Sequence, residues 1–361
     1  ASLATLADAW APLMRKRGDA LYWLFWMAQF GFLPAMLSHG KPHFSAWQVL
    51  DVLGVSPLLV GLSQLMDLAS VSVGGSPFNA ALPVLHMPAG LWTLELVALR
   101  VGAMGVAMLP LLPAIWLFHR YAPDRVTRAT AGRNLLIRAL QWLLHPALRP
   151  ITWLLARLLR LSARVPGAAG RWLADVSLTL LSQPLLSLWM AACGTAAAWV
   201  PLELLPPLMA MALAAWGLAI SDISARDSQH GTLALACAAP GGALERGWRQ
   251  AVAAFGIGVA VSAPALVRWG ADAPLRSAAC IAGLLCLSAG AALLGRLTQG
   301  SRTFLALFLF GLYLDLQPTD IAMLDLLGLN GAATAASVAA YAGLGGLALS
   351  VLILPPRQAR M

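Results

Sequence analysis

Three groups of residues in this chain combine types and spacings that could do chemistry. The first is a polar island at 222–242, between the apolar runs 202–220 and 251–267. It has a charged start, Gly231-Thr232 in the middle, a small apolar helical pattern and a Pro240-Gly241-Gly242 stop. That is the build of a short surface helix against which another protein docks. The second group is Glu95 and Arg100, ionisable residues inside an apolar run. Such residues mark a translocation path or bind a neighbouring helix. Five positions place them about 140° apart around a helix, so they are poor partners for each other. The third is His39 and His43, four apart as helical metal ligands would be, but with Pro42 between them.

Enzymatic patterns are missing from the sequence. A phosphate-binding loop requires a lysine after its glycines, and the chain's two lysines, Lys16 and Lys41, stand in the wrong context. The histidines make no His-Glu-x-x-His pattern, and no Gly-x-Ser-x-Gly elbow occurs. Cys193, Cys237, Cys280 and Cys286 sit among Ala and Leu, without metal spacing or a disulfide framework. No catalytic, cofactor-binding or metal-ligating residue is expected.

The elements that position the three groups follow from composition. The 361 residues are 60% hydrophobic and 11% charged, with a mean hydropathy of +0.75. A soluble domain carries about 25% charged residues. Apolar runs stand at 20–38, 91–119, 174–199, 202–221, 251–267, 278–295, 303–316 and 335–354. Several approach or exceed the ~20 residues a helix needs to cross a bilayer. They do not alternate as barrel strands do. These features predict an all-α polytopic membrane protein. A weaker run, 47–69, carries Asp51, Asp67 and Pro57 and is expected to be re-entrant or to lie at the outer surface. No small-residue cleavage site follows Arg15-Lys16-Arg17 and its apolar run, so no cleavable signal is expected.

Charge fixes the expected topology. Residues 120–171 hold ten arginines (Arg120, Arg125, Arg128, Arg133, Arg138, Arg149, Arg157, Arg160, Arg164, Arg171) against Asp124 alone, which makes the segment cytoplasmic. Two crossings then precede it and six follow. The island falls inside. The stretch with Asp315, Asp320 and Asp325 falls outside. Only Lys41, Arg268 and Arg276 are external, and Arg100 lies within a span. Arg149, Arg157, Arg160 and Arg164 share about 80° of one helix face, with Leu and Ile around the rest and Pro150 suited to the first turn. The spacing predicts an amphipathic helix over 149–164, lying in the inner leaflet interface. The net charge of +9 is thus spent on topology and anionic lipid. No basic-aromatic groove pattern appears, so nucleic acid is not an expected partner.

The island resembles the first cytoplasmic loop of ABC-2 type transporter permeases. Ser224, Arg226, Asp227, Gly231, Thr232, Leu233 and Pro240 match or nearly match that family's pattern; Asp227 replaces its usual Glu, and Leu235 stands one position from its second Leu. The wider layout is similar: an elbow helix, two spans, the loop, four more spans, and a re-entrant outer segment at 317–331. The resemblance covers about 145–361. It implies a six-helix core at 172–361, a basic linker and elbow at 120–171, and an N-terminal extension at 1–119 with two spans and the re-entrant run. The extension's order echoes the end of the same fold. It is either an incomplete internal duplication or a set of accessory helices.

By resemblance, Arg226, Asp227, His230, Gly231, Thr232, Leu233, Leu235 and Pro240 form a coupling helix. It contacts a separate ABC ATPase, present in two copies, which binds ATP and Mg. The permease pairs with a second permease subunit, as a homo- or heterodimer, in the bacterial cytoplasmic (inner) membrane. Its expected role is export, without catalysis of its own. The alternative is a secondary transporter, polytopic membrane enzyme or scaffold acting without an ATPase, supported by Glu95, Arg100 and the broken 47–69 run.

Overall fold

A computed structural model describes residues 2–10, 18, 21–22, 25–26, 29, 43–66, 89–117, 135–229, 231–238, 242–316 and 321–353. Among these residues all regular structure is helical. Five helices are long and apolar enough to cross a membrane: Leu94–Leu117, Leu202–Ile220, Glu245–Asp272, Pro274–Thr298 and Ala335–Ile353. A sixth is added if the bent pair Gly167–Ser182 and Pro184–Ala196 is one span. This is the helix set of a multi-pass membrane protein. Most of the run 20–38, His39, and the linker up to residue 134 lie outside the described residues.

The chain divides into two compact units, Ala1–Asn134 and Leu135–Met361. In the first are α1 (Ser2–Ala9), a 3-10 turn (Ala46–Leu50), α2 (Val55–Met66), α3 (Leu94–Met108) and α4 (Leu111–Leu117). Thr93 caps α3, its hydroxyl oxygen accepting the Leu96 N–H at 3.3 Å. The charged part of the weak run is not a continuous helix. Asp51 is buried and accepts hydrogen bonds from the Gly54 and Ser56 N–H groups and the Ser56 hydroxyl, so α2 starts on a buried carboxylate.

The second unit contains α5 (Leu135–Ser162), α6 (Gly167–Ser182), α7 (Pro184–Ala196), α8 (Leu205–Ile220), α9 (Arg226–Gln229), α10 (Leu233–Ala238), α11 (Gly242–Asp272), α12 (Pro274–Thr298), α13 (Arg302–Asp315) and α14 (Ala335–Ile353). Two expectations change here. The amphipathic helix begins at Leu135 rather than near Arg149, with Pro146 and Pro150 inside it. Each proline costs one rung of the ladder, and the long amphipathic pattern on both sides carries the helix past them. Arg164 lies beyond its end, in a turn where the Arg164 N–H meets the Leu161 carbonyl. The run 174–199, read as one span, is α6 and α7 bent by 103°. Pro184 has no N–H to give α6 and disfavours a helical conformation before it, and Gln183 sits at φ −142°, ψ 67°.

Small residues let the spans of this unit approach closely. Ala279, Ala282, Gly283, Ala289, Ala291 and Ala292 of α12 are buried, and α12 packs against both α11 and α14. Trp216 on α8 is fully buried. Its indole N–H donates to the Ala254 carbonyl of α11 at 2.9 Å, and its ring meets Phe308 of α13 edge-on at 6.3 Å. Trp216→Phe keeps the ring and loses the hydrogen bond, and is expected to cost about 1 kcal/mol. Trp216→Ala opens a cavity between three helices and costs about 4 kcal/mol. Thermal unfolding in one detergent gives the order; equal midpoints for the two variants would contradict this packing.

Candidate partner-docking site

The body of α6, the end of α8 and the start of α11 bring together charges that lie far apart in sequence. Arg249 of α11 donates from Nε to Asp175 Oδ2 of α6 at 2.6 Å, each side chain 16% exposed. One turn earlier on α11, Arg246 donates to the Asp227 carboxylate of α9. Arg226 donates from Nη2 to the Thr179 hydroxyl of α6 at 3.1 Å and lies 3.9 Å from Asp222. Ser224 donates to Gln250 Oε1 at 2.8 Å, and Ser228 to the Gln299 carbonyl at 3.3 Å. The island is therefore tied to α6, to α11 and to the end of α12. Arg171 and Glu245, 2.9 Å apart, add an exposed pair of little energetic weight.

The island forms two short helices rather than one. Gly231 holds φ +68°, which ends α9 and re-aims the chain into α10. Asp227 and Ser228 are residue types that commonly cap a helix start. Instead the Asp227 carboxylate takes Arg246 and the Thr232 hydroxyl, the latter at 3.2 Å, while the Ser228 hydroxyl donates to the Ala225 carbonyl. A guanidinium is a stronger partner for a carboxylate than a backbone N–H. Beyond the Gly231 turn the chain turns apolar side chains outward: Leu233 is 38% and Leu235 77% exposed. Gly231 and Thr232 are exposed beside them. His230 and Pro240 lie outside the described residues.

The remaining candidates separate. Arg149, Arg157, Arg160 and Arg164 are all exposed, and the Arg157 guanidinium lies 4.9 Å over the Trp153 ring. Glu95 is exposed in the first turn of α3, whereas Arg100 turns inward and its guanidinium lies against Gly54. They do not pair. Sequence reasoning missed Asp175, Thr179, Arg246, Arg249, Gln250 and Gln299 as members of the ion-pair cluster. The signal was present: charges at the ends of three apolar runs need partners. Among the described residues no group of three or more His, Cys, Asp and Glu side chains is placed to hold a metal. The cluster holds its cations, carboxylates and hydroxyls in mutual ion pairs and hydrogen bonds that join α6, α9 and α11. No family model, no curated protein and no solved structure matches the chain.

Proposed function

We propose that this chain is the transmembrane permease subunit of an ATP-driven transporter of the ABC-2 type, an exporter of the bacterial cytoplasmic membrane. In this reading α9 and α10 are the surface on which a separate ATPase docks, with the ATPase holding ATP and Mg. The observation that carries it is the pairing of an exposed apolar tip, Leu233 and Leu235, with a buried-side anchor of ion pairs to α6 and α11. An interface needs an apolar anchor with a polar rim. A lever needs a rigid root in the elements it moves, and Arg246 and Arg249 supply it on α11. The sequence pattern around Gly231 and the order of spans support the same reading. Two permease subunits then sit on two ATPase copies.

The test is isolation of the intact chain from its native membrane in mild detergent. An ATPase chain is expected with it, and Mg-ATP turnover is expected to rise when the permease is present. Single cysteines at Thr232 and Leu235 are expected to react with impermeant thiol reagent from the cytoplasmic side alone. Reaction from the outer side overturns the proposal, as does a complex in which α10 touches no partner.

The amphipathic helix α5 is read as an elbow lying on the inner leaflet. Replacing Arg149, Arg157, Arg160 and Arg164 together by Gln is expected to cut retained anionic phospholipid by about five-fold per charge removed, since each basic residue near the surface contributes on the order of 1 kcal/mol. Lipid counted by native mass spectrometry checks this. Unchanged retention means that α5 lies on protein instead.

A further inference from the structure

Residues 50–56 read Leu-Asp-Val-Leu-Gly-Val-Ser and residues 324–330 read Leu-Asp-Leu-Leu-Gly-Leu-Asn. Leucine, aspartate, leucine and glycine recur at the same four positions, and the other three are conservative changes. The two heptapeptides belong to different units, and they share a buried aspartate and a left-handed glycine three residues on, although Gly54 N–H also closes on the Asp51 carbonyl and leads directly into α2. Gly54 and Gly328 hold φ +72° and +71°, a conformation that strains any residue with a Cβ. Asp51 and Asp325 are each 1% exposed.

In both copies the aspartate accepts the backbone N–H five residues on. Ser56 donates to Asp51 Oδ2 at 2.7 Å, and Asn330 to Asp325 Oδ1 at 3.0 Å. The other oxygen takes a second N–H, from Gly54 in one copy and Ala332 in the other, both at 2.8 Å. In both copies an arginine from a neighbouring helix lies against the glycine. The Arg100 guanidinium of α3 fills the space that a Gly54 side chain would need. Arg276 of α12 packs on Gly328, donates from Nε to its carbonyl at 2.6 Å, and reaches the Leu329 carbonyl as well.

We propose that this chain carries one device twice, an aspartate turn braced by an arginine, and that each copy seals the outer end of its own unit. The outer placement rests on the charge-derived topology used in the proposed function; the likeness of the two turns does not. Irregular backbone at membrane depth persists only where its polar groups are satisfied and covered by protein. Here a carboxylate satisfies the N–H groups. In the second copy a guanidinium satisfies the carbonyls. Leu327 and Leu329, 1% and 5% exposed, fill the second turn from within. Asp315 at the end of α13 adds a hold from below: its Oδ2 accepts the Leu327 N–H at 3.3 Å and its carbonyl accepts the Asn330 side-chain amide at 2.7 Å. The second turn packs on α12 at Arg276, Ala279 and Gly283, and Cys280, which stands among them, has no exposure. What repeats is the turn and its brace, not a run of helices, because α3 follows its turn in the chain and α12 precedes its own.

Cys280 supplies the test. In right-side-out vesicles, a chain whose other cysteines, Cys193, Cys237 and Cys286, are serine is exposed to a membrane-impermeant anionic thiosulfonate. Asp325→Asn and Arg276→Gln are each expected to speed labelling of Cys280 at least ten-fold. In a cysteine-free chain, Ala103→Cys places a reporter on α3 one turn from Arg100, at a site 3% exposed. There Asp51→Asn is expected to give the same rise. A parallel chain keeping only Cys193, 4% exposed on α7, reports general unfolding. Cys280 exposed with Cys193 still protected supports a seal. Both exposed together, neither exposed, or a rise from the inner face alone overturns it. A rise at Cys280 without one at the Ala103→Cys reporter overturns the claim of two copies. None of these outcomes depends on whether an ATPase docks at α10, so this proposal and the transporter reading fail separately.

Discussion

Leu235→Asp is expected to weaken capture of the ATPase by about 100-fold and to abolish transport, with the helical bundle intact. Leu235 is 77% exposed, so the isolated chain loses little when it changes; surface substitutions of this kind stay within about 0.5 kcal/mol. At a docked interface the same position is an apolar anchor contributing about 2 kcal/mol. A carboxylate placed there must also give up water without a partner, adding on the order of 1 kcal/mol. The sum of about 3 kcal/mol is a ~100-fold loss of affinity. Leu233→Asp acts in the same direction. Gly231→Pro reaches the same end by geometry. Proline cannot adopt φ +68° and removes the N–H that meets the Ser228 carbonyl at 3.3 Å, so α10 points elsewhere. Affinity of the detergent-solubilised complex and the permease-stimulated ATPase rate measure all three variants. Normal capture by Leu235→Asp would sink the docking assignment.

Hydropathy made five apolar helices of spanning length legible among the described residues, whereas the run 303–316, expected to cross, is α13, 14 residues long and not among them. The ends of the five were less legible. Glu245–Asp272 and Pro274–Thr298 extend well past the runs 251–267 and 278–295, because terminal charges find partners and stay helical. Arg268 meets the Ala197 and Val200 carbonyls, and Arg276 stacks over Trp269 at 4.4 Å. Pro184 was visible in the run 174–199, yet continuous Leu and Ala on both sides hid a 103° bend. Pro150 looked like a helix start and stands inside one.

The ion-pair cluster shows the same limit in another form. A capping role for Asp227 is a local rule, and local rules can be read from neighbours. Arg246 lies 19 residues on, and the Asp175–Arg249 pair spans 74. No periodicity links such pairs before the helices are placed. The repeated heptapeptide is the opposite case. Its letters were always visible, but φ at Gly54 and Gly328 turns a short likeness into a shared geometry.

The cluster's two ion pairs should separate docking from force transmission. Asp227→Ala removes the partner of Arg246, a residue of α11, while Leu233 and Leu235 remain on α10. The ATPase is therefore expected to lose far less affinity than with Leu235→Asp, while transport per ATP falls at least ten-fold. That is the reverse of Leu235→Asp, which loses the partner itself. Arg249→Ala strands Asp175, 16% exposed, in the body of α6. Removing one member of such a pair costs about 3 kcal/mol, because the remaining charge stays partly buried without its counter-charge. Asp175→Ala costs a similar amount. The double variant is expected to be less destabilised than the two singles added together, with a coupling of about 2 kcal/mol. Denaturant unfolding of the four proteins completes the cycle. Additive losses at Asp175 and Arg249 would show that the pair does not hold α6 to α11, and the lever at α9 would then have no root. Coupling in that cycle, together with ATP hydrolysis that no longer drives transport in Asp227→Ala, places the transmission step in the ion pairs and the docking step in the leucines.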